Sequence, residues 1–230
     1  MFGEGSERKQ LERAMRDAGR LPPGQSATLK WPVLHEGAVP RFDPDTWDFR
    51  IAGLVEEPVR LTWNEFTSLP MREVTADMHC VTRWSRFDVR WEGVPFAEVM
   101  KLAGAKPEAK YVMVVAEQGY TSNVPLEDLM RPATLFALKH NGEPLPAEHG
   151  YPVRLVVPHL YAWKSVKWVR GLEFMANDAP GFWEENGYNM YGDPFREQRF
   201  SGSDRAYSQP PDGVPFASRR ARSWPSFAPR

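Results

Sequence analysis

Twenty-two prolines are scattered along 230 residues, and they set the first limit on what this chain can fold into. Proline fixes φ and removes a backbone donor, so helix interiors and central strands exclude it. A chain interrupted this often is confined to short helices and short strands joined by turns and stiff loops. Loops held by a packed scaffold are also where binding sites concentrate. The length suffices for one large domain or two small ones with a sizeable core. Charged residues at 26% and apolar residues at 42% place the chain in the ordinary globular class, and a net charge of -1 offers no global field for nucleic acid. No apolar run approaches the roughly 20 residues of a membrane span. The N-terminal stretch stays charged through Arg20, with no apolar h-region and no twin arginine, so the expectation is a cytoplasmic protein without a membrane span.

The local patterns agree with short elements. Leu11, Met15 and Ala18 share one face of a helix expected over 7–18, which Gly19, Pro22, Pro23 and Gly24 end. The stretch from Trp31 to Pro40 is expected to be loop. Alternation predicts a strand over 47–53, and Thr62-Trp63-Asn64-Glu65 is a capping-box pattern opening a short helix. Further strands are expected over 73–78, 111–116, 134–139, 152–157 and 165–175, with a short helix over 95–102 and a hairpin partner or loop over 119–124. Nothing here alternates strand with long helix as a doubly wound sheet does, so the fold class is α+β, a mixed β-sheet core with short helices. Three regions follow: an N-terminal helix and lead-in over 1–27, a main domain over 28–200, and an irregular tail over 201–230 with a basic cluster at Arg219, Arg220 and Arg222.

Cys80 is the single cysteine, so it closes no disulfide within the chain. It stands in Asp77-Met78-His79-Cys80-Val81-Thr82-Arg83-Trp84-Ser85-Arg86, with cations nearby that favour a thiolate, the form that attacks electrophiles and binds soft metals. A buried small hydrophobe is the equally weighted alternative. His79 is a poor base for it, because neighbours in an extended segment point to opposite faces. The second concentration of chemistry runs from His149 to Trp168. Arg154 opens an apolar strand, and Lys164, Ser165 and Lys167 follow its far end in a loop suited to cradle a phosphate or polyanion. Both nucleotide-binding glycine fingerprints and every structural zinc spacing are missing.

Four segments, Trp31–Arg41, His79–Val94 with its Cys-Val-Thr-x-Trp-Ser core, Gly119–Leu129 and Asn141–Leu172, resemble the molybdenum-cofactor domain of the sulfite oxidase family, above all its bacterial single-domain members. The resemblance covers roughly 28–200 and implies a mixed α+β fold around a buried molybdopterin. It implies that Cys80 ligates molybdenum through its thiolate. It places His35 and Thr121 at cofactor contacts, His149 and Arg154 on the pterin and its phosphate tail, and Ser165, Val166 and Lys167 in the anion-binding loop. The implied activity is two-electron oxygen-atom transfer on a small sulfur oxyanion or sulfoxide. Arg83 and Arg86 are the expected entrance for an anionic substrate, whereas Trp84 and Trp91 would wall a neutral one. The family's sulfite pocket uses more arginines and a tyrosine, so the substrate stays open. With no haem motif, no nicotinamide fingerprint and too few cysteines for an iron–sulfur cluster, a separate electron-transfer partner is expected. The rival readings are a cysteine-dependent hydrolase pairing Cys80 with His159, and a binding module on the same fold.

Overall fold

The computed structural model describes residues 4–202; the basic cluster of the tail lies outside the described residues. Along the chain come α1 (Glu4–Asp17), β1 (Ser26–Ala27), β2 (Asp48–Gly53), β3 (Val59–Thr62), α2 (Trp63–Thr67), β4 (Arg72–His79), β5 (Trp84–Pro95) and α3 (Phe96–Ala103). They are followed by β6 (Tyr111–Ala116), β7 (Thr121–Pro125), α4 (Leu126–Leu129), β8 (Leu135–His140), β9 (Glu143–Pro144), β10 (Arg154–Val156), β11 (Val169–Met175) and α5 (Phe182–Glu185). The architecture is the expected α+β mixture of two sheets and short helices. No described helix is long and apolar enough to cross a membrane.

One sheet runs β1-β5-β8-β10, with β4 also on β5 and β9 on β8; the other runs β3-β2-β11-β6-β7. They share one core. Phe49, Val112 and Leu172 of the second sheet are fully buried in the same cluster as Val94, Phe136 and Leu155 of the first. Phe49 and Phe136 meet edge to face at 5.2 Å between ring centroids, a favoured aromatic geometry. Thr62 and Glu65 close the anticipated capping box, Thr62 N–H donating to Glu65 Oε2 at 2.7 Å and Glu65 N–H to Thr62 Oγ1 at 3.4 Å. The end of the 165–175 segment forms β11, but 165–168 stays irregular, and that stretch belongs to the site.

The 12-residue β5 has no counterpart among the expected elements, although it is the hub of its sheet. Val89 and Trp91 pack in a second cluster with Met78 and Val156, while Val94 enters the main core. Between them the register shifts at Glu92/Gly93. Gly93 is required there, because a Cβ would collide with the Phe136 carbonyl oxygen. The second cluster also receives Trp31 from the lead-in loop, and on this side of the sheet the site is built.

Candidate functional site

Cys80 occupies the turn between β4 and β5. Its N–H donates to Trp84 O at 2.8 Å, and Arg83 N–H donates to Cys80 O at 3.0 Å, with Arg83 at a positive φ of 73°. Remote segments hold the same turn. Gln25 Nε2 donates to Cys80 O at 2.9 Å, Ser26 N–H to Arg83 O at 3.0 Å, and Arg199 Nη1 to Val81 O at 2.6 Å. Thr82 Oγ1 donates to Cys80 Sγ at 3.1 Å. His79 turns away, its Nδ1 lying 2.8 Å from Ser85 Oγ. Burial pushes the Cys80 thiol up, against the Thr82 hydroxyl and the charges of Lys167 and Arg199. This corrects the expectation that sequence neighbours favour the thiolate: the cations acting on Cys80 come from distant segments, and burial outweighs them.

The strand period places the second half of the site. Leu155 faces the shared core, whereas Val156 packs in the second cluster and Arg154 lies against the rings of Trp31 and Trp91, at 5.6 and 5.3 Å. Arg154 is 2% exposed, and its two terminal nitrogens donate to His149 O and Ser165 O, each at 3.0 Å. Ser165 Oγ accepts from Val157 N–H at 2.9 Å, which pins the loop to the end of β10. Lys167 Nζ donates to Leu34 O and Glu148 O, both at 2.7 Å. Gly150, at φ 115°, lets the loop pass close enough that an added Cβ would press on Arg154 Cβ and the Lys167 backbone. Trp31 stacks on His149, centroids 3.7 Å apart and planes 5° from parallel.

These groups line one cavity of about 570 Å³ with Cys80 in its wall. Of the expected site residues, His35, Cys80, His149, Arg154, Ser165, Val166 and Lys167 all line it. Thr121 does not; it is buried at the start of β7, while its neighbour Tyr120 reaches the cavity. Arg83 and Arg86 do not line it either: Arg83 is exposed, and Arg86 lies over the Trp31 ring at 5.2 Å. Lys164 is no part of the cradle. Its ammonium is buried on Glu184 Oε1 at 2.5 Å and on Asn123 and Met190 oxygens, so the loop carries one cradle lysine. Trp91 is fully buried behind Trp31 and does not form the cavity wall. His159, the base of the hydrolase reading, bonds Asp128 Oδ1 at 2.8 Å and is away from the cavity.

An aromatic wall of Tyr120, Trp163, Phe182, Trp183 and Tyr188 has no counterpart in the sequence reading. Trp183 and Tyr188 stack at 4.9 Å, and Trp163 meets Tyr188 edge to face at 5.0 Å. The signal available was the unusual aromatic content, with nine tryptophans. It carries no address, since the rings come from four separate segments.

Electrostatically the cavity wall is cationic and crowded. Burial lowers His149 to about 4, with help from Lys167 and Arg154, and lowers Arg154 to about 9. Lys167 falls to about 7, through burial first and Arg154 second. Below about pH 7, Lys167 is charged in folded and unfolded chains alike; between about 7 and the ordinary 10.5 the unfolded chain binds more protons. Stability therefore rises with pH across that window. The expected result for cofactor-free protein is a melting temperature that climbs from pH 7 toward 10, less steeply in Lys167→Met. Identical slopes in the two proteins would contradict the burial of this charge.

The residues fit a molybdopterin. The volume lies in the roughly 300–1,000 Å³ range of cofactor pockets. Arg154 Nε and His149 Nδ1 are buried without partners at the wall, so the site has polar atoms to spend on a pterin. Lys167, Arg154 and the Ser165 hydroxyl suit a phosphate. The lining thiol of Cys80 suits a soft metal.

Residues 36–183 match the family model described as the oxidoreductase molybdopterin binding domain. The chain is 49% identical over 185 residues to an uncharacterized oxidoreductase of Bacillus subtilis (strain 168), YuiH, covering 80% of this chain and 93% of that protein. It is 31% identical over 169 residues to the protein-methionine-sulfoxide reductase catalytic subunit MsrP of Gluconobacter oxydans, covering 66% of this chain and 54% of that one. Among solved structures, the sulfane dehydrogenase SoxCD of Paracoccus pantotrophus superposes with a TM-score of 0.59 at 26% identity, over 66% of this chain and 43% of that chain. The chain thus spans about half the length of the sulfoxide reductase subunit it matches. The cavity, its thiol and its phosphate cradle all fall in or beside the matched segment, and the chain belongs to the oxidoreductase molybdopterin-binding domain family, the sulfite oxidase type of molybdenum enzyme.

Proposed function

We propose that this oxidoreductase moves an oxygen atom to or from the sulfur of a small neutral compound, a sulfoxide in preference to a sulfur oxyanion. The observation that carries the preference is the wall around Cys80. Met78, Trp84, Trp163, Trp183 and Tyr188 line the cavity, whereas Arg83 and Arg86 do not. Aromatic rings contact sulfur and methyl groups favourably, and an anion gains little from them. Relatives named as methionine-sulfoxide reductase subunits support the same reading.

When bound, the molybdenum cofactor supplies the two-electron oxygen-transfer chemistry. The chain supplies position and charge. Cys80 gives a thiolate ligand, whose proton has to leave against the burial that raises its pKa. Arg154, Lys167, Ser165 and His149 hold the pterin and its phosphate, with Val166 and the exposed His35 completing that side of the cavity. Electrons pass to or from a separate protein, since these 230 residues carry one cysteine and no haem or nicotinamide motif.

The test is steady-state kinetics on protein from a molybdenum-replete host. Methionine sulfoxide with a reduced dye is compared with sulfite and an artificial acceptor. A kcat/KM at least about tenfold higher for the sulfoxide is expected, a preference of the size one pocket can supply. Faster sulfite oxidation would overturn the neutral-substrate reading. Protein with neither molybdenum nor pterin would overturn the cofactor assignment itself.

A further inference from the structure

The Cys80 turn is held from outside the family-matching segment 36–183, by Gln25 on one side and Arg199 on the other. Arg199 is the unusual member. Its side chain is 2% exposed, yet among the described residues the nearest carboxylate is that of Glu197, with Oε1 at 3.7 Å and the side chain 44% exposed. Its other partners are Val81 O at 2.6 Å, Pro23 O at 3.4 Å and the face of Tyr161 at 5.0 Å, and its Nε is buried without a partner. A buried guanidinium with so little compensation is costly to keep. A hydrophobic side chain would seal the same space without that cost. The chain also makes room for it: Gly24, at φ 64°, sits where a Cβ would meet Glu197 Oε1 at 2.5 Å and Arg199 Nη2 at 3.4 Å. Three of the four carbonyls from Cys80 to Arg83 are thereby fixed, those of Cys80, Val81 and Arg83.

We infer that Arg199, assisted by Gln25, is a positioning residue for the Cys80 turn, setting the direction of the sulfur and placing a fixed positive charge beside it. The inference rests on Cys80 being the molybdenum ligand. Partners of this kind, one shell removed from a metal, orient the ligand and tune the metal it binds.

The experiment uses full-length wild type, Arg199→Gln, Arg199→Lys and Gln25→Leu from a molybdenum-replete host. Molybdenum content, the Mo(V) electron paramagnetic resonance spectrum, kcat and KM are measured. So is amide hydrogen exchange at Cys80 and Arg83 in the cofactor-free chains. Arg199→Gln is expected to keep its molybdenum, because Arg154 and Lys167 hold the cofactor. Its g-values should shift, its kcat should fall about tenfold or more with KM little changed, and the two amides should exchange faster. Arg199→Lys, which keeps both the charge and a donor for Val81 O, should recover part of the kcat and of the spectrum. Gln25→Leu should quicken exchange at the same amides. Wild-type spectra and exchange in Arg199→Gln overturn the inference, and so does a lysine variant no better than the glutamine one. If Arg199→Gln does not fold, unchanged exchange and spectrum in Gln25→Leu overturn it. A wild type without molybdenum defeats the functional reading instead, and exchange in the cofactor-free chains then still decides whether these residues hold the turn.

Discussion

Cys80→Ser is expected to yield a folded protein whose turnover is lost almost completely. The turn does not depend on the sulfur: Cys80 N–H bonds Trp84 O, Gln25 bonds Cys80 O, and Arg199 bonds Val81 O through backbone atoms that serine keeps. Thus the melting temperature of the cofactor-free protein should change little. Serine differs where it matters, because its hydroxyl is far less acidic than a thiol and its oxygen is a harder donor than a thiolate. Removing a residue one shell from a metal typically costs roughly 10–100-fold, and removing the ligand itself should cost more. Metal analysis, the visible spectrum and kcat check this together. Near-normal kcat in the serine variant would remove Cys80 from the chemistry.

The second large effect is on stability. Lys164→Met should destabilise the fold by about 3–5 kcal/mol, the usual cost of stranding one member of a buried ion pair. Both side chains of the Lys164–Glu184 pair are 0% exposed. Without the ammonium, Glu184 Oε1 keeps Trp163 Nε1–H at 2.8 Å, and the oxygens of Asn123 and Met190 lose their donor. Lys164 also ties α5 and the segment to Met190 against β7, so the aromatic wall of Trp163, Trp183 and Tyr188 should loosen with it. Chemical denaturation measures the loss. The double variant Lys164→Met with Glu184→Leu should recover much of it, because the stranded charge is gone. A single variant as stable as wild type would show that water reaches this pair.

How much of this was written in the sequence depends on how far apart the cooperating residues lie. Thr62 and Glu65 are three apart and closed their capping box as the pattern implied. Arg154, Ser165 and Lys167 lie within one strand-and-loop unit, and their grouping was readable because the loop follows closely on the short strand that Arg154 opens. Lys164 breaks that grouping, since only the tertiary fold reveals a buried carboxylate waiting for it. β5 was hidden for a different reason. Its residues alternate only over 88–92, and the alternation breaks where the register shifts at Glu92/Gly93 and Val94 turns into the main core, so only a short window of the 12-residue strand shows the period. The charges acting on Cys80 were misread on grounds of proximity: Arg83 is three residues away and exposed, whereas Arg199 and Lys167 are remote in sequence and close in space.

The clasp on the Cys80 turn has a consequence for synthesis. The cavity needs Trp31 and Tyr188 together, and the turn is not secured until Arg199 has been added. At about 5–20 residues per second, a ribosome takes roughly 8–30 s to travel from Trp31 to Tyr188, and through that interval a nascent chain has no pocket to offer. A complete pocket for the pterin therefore exists only once the polypeptide has been made past Tyr188.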